Sequence, residues 1–395
     1  MTRYCGTVAR GLLAPIVKKG DDLITIIVDT VLNACQGEGI TLKEKDVVAV
    51  TESLVARVQD NYASIESIIK DFNEKFDDEI AVVFPILSRN RFYLIMKAIA
   101  QTGKKIKVFF SYPTDEVGNP LMDVQLLHEK GLNPYQDVLD ERAYRELIGD
   151  CGGVHLFTGI NYVDLYKDTA VSDNVSVYFT NNPLTVLDYA DEILVANIHD
   201  RDYLKQLYQS KGAKKVYTLA DILNQPVDDS GFNSEYGLYG SNLATPNSLK
   251  LFPRDTQVFA ETLAQRLKEA TGISIEAMIY GDGAFRDPVG KIWELADPVV
   301  SPGFTEGLKG TPNEIKLKYI ADNELKDLEG EDAKAAMKQA IREKSDDLMG
   351  EECTLGTTPR QITDLLGSLS DLVSGSGDKG TPIVLIQGYF DNYAS

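Results

Sequence analysis

The sequence predicts a mixed α/β (α+β) protein whose core is discontinuous in the chain and is interrupted by an inserted domain of alternating strands and helices. Three observations predict it. From about Ile80 to Leu223, short apolar runs alternate with segments of helical periodicity, the grammar of an at least partly parallel sheet. Before and after that stretch the alternation is lost, and isolated strands are separated by helices and turn-rich loops. The 395 residues also exceed what one hydrophobic core usually organises. The resulting division gives a core from 1–75, 229–305 and 354–395, an inserted α/β domain at 76–228, and a charged helical insertion at 306–353.

In chain order, the apolar run Leu12–Val17 is broken by Pro15, and Lys18-Lys19-Gly20 turns into a helix. Leu23, Ile26, Ile27, Thr30, Val31 and Ala34 fall at helical spacing, and Asp21 and Asp22 suit its positive end as caps. The strand Asp46–Val50 ends in Thr51-Glu52-Ser53, with Arg57 four residues beyond Ser53. A hydroxyl-rich turn before a basic residue can hold a phosphate, and it can equally be an ordinary loop. In the insert, strands are expected at Ala81–Phe84, Ile106–Tyr112, Val175–Phe179, Ile193–Asn197 and Lys215–Leu219, with helices such as Phe92–Gln101 and Asp202–Ser210. No glycine-rich loop joins these strands to helices, so a dinucleotide site is not supported, and a structural or dimer-forming role is expected.

Leu249–Pro253 reads as a strand stopped by its proline, and Asp255–Thr271 as a helix stopped by Gly272. Ala333, Ala336, Met337, Ala340 and Ile341 mark an amphipathic helix with a solvated charged face. Thr358-Pro359 opens a last helix, and a loop Ser374–Pro382 leads into the strand Ile383–Gln387. That loop can bring backbone N–H groups to phosphate oxygens or serve as a flexible connection; with no helix after it, it is not a Walker A loop.

Composition narrows the function. A net charge of −20 argues against a nucleic-acid partner, so an anionic substrate would need a local basic island, with Lys18, Lys19, Arg57, Arg286, Lys291 and Lys379 as candidates. The four scattered cysteines give neither a zinc pattern nor a disulfide framework, which favours a reducing, cytoplasmic setting. No apolar run approaches the roughly 20 residues of a membrane span, and no secretory signal is visible.

The densest chemistry lies in Tyr280–Thr305, where a strand pattern runs into Gly281-Asp282-Gly283 and then Arg286, Asp287, Lys291 and Trp293. Glycines on both sides of a carboxylate let the backbone turn tightly while the acid projects. A phosphate–metal site would supply partners for these charges; a rigid, salt-bridged turn is the plainer alternative.

Four segments, Ala14–Leu23, Lys45–Arg57, Gly240–Gly290 and Ser374–Gly388, together resemble in order the coenzyme F420-0:L-glutamate ligases, the CofE-type γ-glutamyl ligases. The resemblance covers about half the chain. It implies a GTP- (or ATP-) dependent amide ligase using Mg2+ or Mn2+, built as a homodimer and acting on L-glutamate and a carboxylate acceptor of the F420-precursor or folate type. Residue by residue, it implies nucleotide contacts at Ala14, Pro15, Ile16 and Val17, at Glu52, Ser53 and Arg57, at Asn242, and along Gly375, Ser376, Gly377, Asp378, Lys379, Gly380, Thr381 and Pro382. Arg57 stands where the family has lysine. The resemblance further implies a metal at Asp282, with Asp378 or Glu235 as its companion. Arg286 and Arg57 would neutralise charge on the transferred phosphoryl group, and Lys291 would hold a substrate carboxylate. Tyr239 stands where a family aspartate binds the first metal, and a phenol is a poor ligand for a hard cation. That departure supports an alternative reading, a nucleotide- or ligand-binding protein without chemistry on the same scaffold.

Overall fold

The computed structural model describes residues 4–149, 153–154, 159–281, 300–357, 360–374 and 378–395, and the backbone pairing of 285–286 with 293–294. Its central sheet has five strands in the order Val8–Leu12, Ile383–Gln387, Val47–Thr51, Glu276–Tyr280, Gly303–Phe304. Only the pair Val47–Thr51 and Glu276–Tyr280 is parallel. The continuous apolar runs Val47-Val48-Ala49-Val50 and Ala277-Met278-Ile279-Tyr280 follow from burial on both faces. On one face Val48, Val50, Ile279 and Leu385 pack with the helices Leu23–Glu38 and Thr256–Thr271; on the other Val47, Ala49, Met278 and Val384 pack with the helix Ile362–Ser374.

The parallel step between Val47–Thr51 and Glu276–Tyr280 makes room for everything inserted between them. A three-stranded antiparallel sheet, in the order Asn242–Thr245, Ser248–Lys250, Tyr62–Ser64, stands next to the core. The six-stranded sheet of the insert has the order Leu139–Asp140, Val175–Phe179, Lys105–Phe110, Glu79–Val83, Glu192–Val195, Lys215–Thr218 and is parallel except for its first pair. The helix Phe92–Gln101 packs on one face with Val82 and Val108, and the helix Arg201–Ser210 on the other with Ala81 and Val195. This is a doubly wound sheet. One hydrophobic cluster runs from Ala63 and Leu249 of the small sheet, with Leu251 just beyond it, through Ile68 and Phe72 to Val82 of the insert.

Several local expectations are corrected. Thr51-Glu52-Ser53 is not a turn, because the helix Glu52–Val58 begins directly at the strand end. The strand expected over Leu249–Pro253 is Ser248–Lys250, since Leu251 turns its N–H to the Asn61 carbonyl at 2.9 Å. The last helix begins at Ile362; the expected start at Thr358-Pro359 lies outside the described residues. Asp22 caps its helix as expected, accepting from the Thr25 N–H at 3.1 Å. The amphipathic helix of the charged segment spans Gly330–Glu343, with Met337 and Ile341 buried.

Candidate functional site: a cationic cavity beside the central sheet

Strand register brings the four separated segments to one end of the central sheet. Thr51 lies opposite Tyr280, Leu12 lies opposite Ile383, and the Thr51 N–H donates to the Pro382 carbonyl at 3.0 Å. The Ala14 N–H donates to the Gly380 carbonyl at 3.1 Å. Gly11 has no side chain for a physical reason: a Cβ there would lie 2.8 Å from the Cβ of Thr381. Beyond Tyr280, the Gly281 N–H donates to the Val300 carbonyl at 2.8 Å, and the chain returns as the edge strand Gly303–Phe304.

Next to this end lies a cavity of about 750 Å³, lined among others by Lys18, Lys19, Ser53, Arg57, Asn242 and Lys250. Its floor is a cross-strand row. Asn242 lies opposite Lys250, and Lys250 opposite Tyr62, so the three side chains share one face. Leu249 and Ala63 take the other face, into the core. Ser53 and Arg57, four apart, share a face of the helix Glu52–Val58. The Lys18–Gly20 turn is tied to that helix twice: the Gly20 N–H donates to the Val58 carbonyl at 3.0 Å, and Arg57 Nε to the Val17 carbonyl at 2.9 Å.

The cations differ in how far they are committed. Lys250 is buried, and its Nζ contacts Glu52 Oε1 and, at 2.5 Å, Ser53 Oγ. Glu52 is also buried, and its second oxygen, Oε2, has no partner among the described residues. Lys19 pairs with Asp60 at 2.6 Å, and that hydrogen bond raises the Lys19 pKa. Lys18 donates only through its backbone N–H, to Asp21, leaving its ammonium uncommitted among the described residues. Among the described residues the guanidinium of Arg57 is bonded at Nε alone, so its two terminal amino groups remain for a ligand. Among the described residues four cations and one carboxylate, Asp60, line the cavity, and with Lys250 paired to Glu52 and Lys19 to Asp60 the excess is Lys18 and Arg57, a basic island in a chain of net charge −20.

Thus Ser53, Arg57 and Asn242, with Lys18 and Lys19 of the expected island, line one cavity. Val17 and Glu52 abut it through their bonds to Arg57 and Lys250; Ala14, Gly380, Thr381 and Pro382 lie at the sheet end but do not line the cavity, and Ile16, Asp378 and Lys379 are exposed. Glu235 is not brought in: it is exposed and bonds the Tyr236 hydroxyl. Tyr239 is 2% exposed and donates to the Asn197 carbonyl at 2.6 Å, in the core it shares with the insert. Asp282, Lys291, Gly375, Ser376 and Gly377 lie outside the described residues, and Arg286 is described only in its backbone pairing with Trp293. Among the described residues no group of three or more His, Cys, Asp or Glu side chains is placed to hold a metal ion. Lys250 was missed, although strand alternation between Leu249 and Leu251 sets its side chain alone on the face away from the core.

A larger cavity of about 1050 Å³ lies along the strand Val8–Leu12. Its charged lining is mixed (Arg10, Glu38, Lys43, Asp391), and among the described residues Pro15 is the one expected site residue there, so size alone does not make it the better candidate. Among the described residues no helix is long and apolar enough to cross a membrane.

The geometry is that of an open cavity whose described lining carries an excess of cations, beside the strand ends of a mixed α/β core. The family profile of the F420-0:gamma-glutamyl ligases matches residues 11–388, and the chain belongs to that family. No curated protein matches. Of solved structures, the biosynthetic arginine decarboxylase SpeA of Campylobacter jejuni is 11% identical over 92% of this chain and 67% of that one, with a TM-score of 0.15, which carries no argument.

Proposed function

We propose that this chain is a nucleotide-dependent γ-glutamyl ligase that forms an amide between L-glutamate and a carboxylate acceptor through an acyl phosphate. The observation that carries the proposal is the basic island of Lys18 and Arg57, uncommitted cations held at the sheet end where the family segments meet. Joining a carboxylate to an amine in water requires an activated carboxylate. The acceptor carboxylate oxygen attacks the γ-phosphorus of GTP or ATP, and the nucleoside diphosphate leaves. The glutamate amine then attacks the acyl carbon, phosphate departs, and the amine loses a proton. Such transfer is mostly positioning and charge neutralisation, so cations and amide donors are the parts a protein must supply. Arg57 offers a planar fork to a phosphoryl group and Lys18 a mobile point charge.

The described residues do not by themselves compose a divalent-cation site. The proposal of Mg2+ or Mn2+ at Asp282, with Asp378, therefore rests on the family resemblance. The same holds for Arg286 and Lys291 as substrate contacts and for the homodimer. Exposed Leu13 and Ile16, beside the unpaired outer edge of the strand Val8–Leu12, give a second copy an apolar surface to cover. The test is phosphate release by purified protein with nucleotide, glutamate, Mg2+ or Mn2+, and F420-0 or a folate as acceptor. Release should require all components. It should fall about 10²- to 10³-fold in Arg57→Ala, the usual loss for one transition-state donor, and vanish in Asp282→Asn with the fold intact. Nucleotide binding without release under any combination would favour the second reading, a ligand-binding protein without chemistry, which buried Tyr239 in place of a metal ligand supports.

A further inference from the structure

The inserted sheet has a feature that its own residues do not use. Its first strand, Glu79–Val83, lies between Lys105–Phe110 and Glu192–Val195, and the chain leaves the first strand towards one side and returns on the other. In doubly wound sheets the crevice outside the carboxyl ends of strands at such a switch point is where ligands bind. Here that crevice is filled by the core's own chain. Tyr239 donates to the Asn197 carbonyl at 2.6 Å and lies under the Arg201 guanidinium, 5.1 Å from ring centre to Cζ. Arg91 reaches the Ser241 carbonyl at 3.5 Å, and the Leu243 N–H donates to the Asn90 carbonyl at 2.8 Å. Gly240 allows the passage: its φ is +70°, and a Cβ there would lie 2.1 Å from the Phe252 ring.

The plug carries the edge of the insert forward to the cationic cavity. Asn90, from the loop after Glu79–Val83, lines that cavity together with Asn242. Neither side-chain amide has a partner among the described residues, and each offers two donors and an acceptor. The cavity therefore has two chemistries: cations from Lys18 and Arg57, and neutral amides from Asn90 and Asn242. The matching ligand has a polyanionic end and a neutral, hydrogen-bonding body, as a nucleoside triphosphate does; carboxamides pair well with nucleobase edges.

We propose that the inserted domain is part of the ligand site and that Asn90 is a specificity-determining residue that reads the nucleoside of the bound triphosphate. This rests on the nucleotide dependence proposed above. The test is calorimetric titration of the full-length protein and of Asn90→Ala and Asn90→Gln with GTP, ATP and inorganic tripolyphosphate, each with Mg2+. Wild type should bind one nucleotide about ten-fold or more tighter than tripolyphosphate. Asn90→Ala should cut that margin about five- to ten-fold, the worth of one or two hydrogen bonds, with tripolyphosphate affinity unchanged. Asn90→Ala keeps the backbone bond to Leu243, so its melting temperature should match wild type, and Asn90→Gln should recover part of the margin. An unchanged margin in both variants overturns the role of Asn90 and leaves the ligase reading standing. Failure of wild type to bind either nucleotide sinks both.

Discussion

The two large sheets end in opposite ways, and the difference separates polar groups that build the fold from those left for a ligand. At the carboxyl end of the insert, buried Asp115 accepts from the N–H groups of Leu87, Val117 and Asn119 and from the Asn119 side chain, at 2.8 to 3.1 Å. Glu116 accepts from the N–H groups of Ile198 and His199, and Tyr239 closes the crevice. Both acids are spent on the insert's own groups, mostly backbone N–H. At the matching end of the central sheet, Lys18, Arg57 and Asn242 face an open cavity, and Glu52 Oε2 is buried without a partner among the described residues. A structural carboxylate is recognised by its donors, and a functional cation by the lack of acceptors.

The comparison breaks most readily at Lys250, where the largest effect is expected. Its side chain is 9% exposed and that of Glu52 is 6%. Lys250→Met keeps the aliphatic stem but leaves a buried carboxylate uncompensated, which should cost about 3–5 kcal/mol in chemical unfolding. Adding Glu52→Gln removes the charge and should restore most of the loss. If the single variant unfolds like wild type, the pair is not buried as described, and the cavity floor is wrong.

Much of the fold was legible because its signals are local. The helix Phe92–Gln101 and the strands Val175–Phe179 and Ile383–Gln387 follow from periodicity with their ends as expected. So does the alternation of the insert. What local pattern does not carry is register. The row Asn242–Lys250–Tyr62 depends on how three strands pair, and no spacing within one segment reveals it. Asn90 was invisible for the same reason: it reaches the cavity only because a segment about 150 residues later plugs the insert. Glu235 was expected as a companion of Asp282 at a metal, but its stretch serves packing: Gly237 is pressed against the carbonyls of Leu219, Ala220 and Ile222.

Asp115 sharpens the comparison through pH. Burial pushes its pKa up to about 6 despite its hydrogen bonds, from an ordinary value of 3.8. Between these values the folded protein keeps a proton that the unfolded chain releases. Stability from this group is therefore full below about pH 4 and falls as pH rises to about 6, by about 3 kcal/mol at 1.36 kcal/mol per unit. Many other carboxylates titrate in that window, so the readout is the difference between wild type and Asp115→Asn in unfolding free energy at pH 4 and pH 6. Relative to the variant, wild type should lose stability as pH rises. A flat difference would mean that the hydrogen bonds offset burial, and a rising one that they outweigh it.

The smallest expected effect is at Tyr239, and it separates an anchor from a vestigial ligand position. Its hydroxyl donates a hydrogen bond to the Asn197 carbonyl and lies beside the Leu219 backbone N–H, in an interior where burial raises its pKa. Tyr239→Phe keeps the ring under Arg201 and removes only that bond, so the loss should be about 1 kcal/mol, with an upper end near 2 if the carbonyl is left dry. Tyr239→Asp is the informative partner. A carboxylate at a site this enclosed, facing the Asn197 carbonyl, would be desolvated at a cost that the Arg201 guanidinium above it offsets only in part, so the variant should be less stable than Tyr239→Phe, and added Mg2+ should not recover it. Recovery of Tyr239→Asp by Mg2+ would show that the crevice opens to the cavity and can hold a cation. The closed end of the insert and the open end of the central sheet would then be one site.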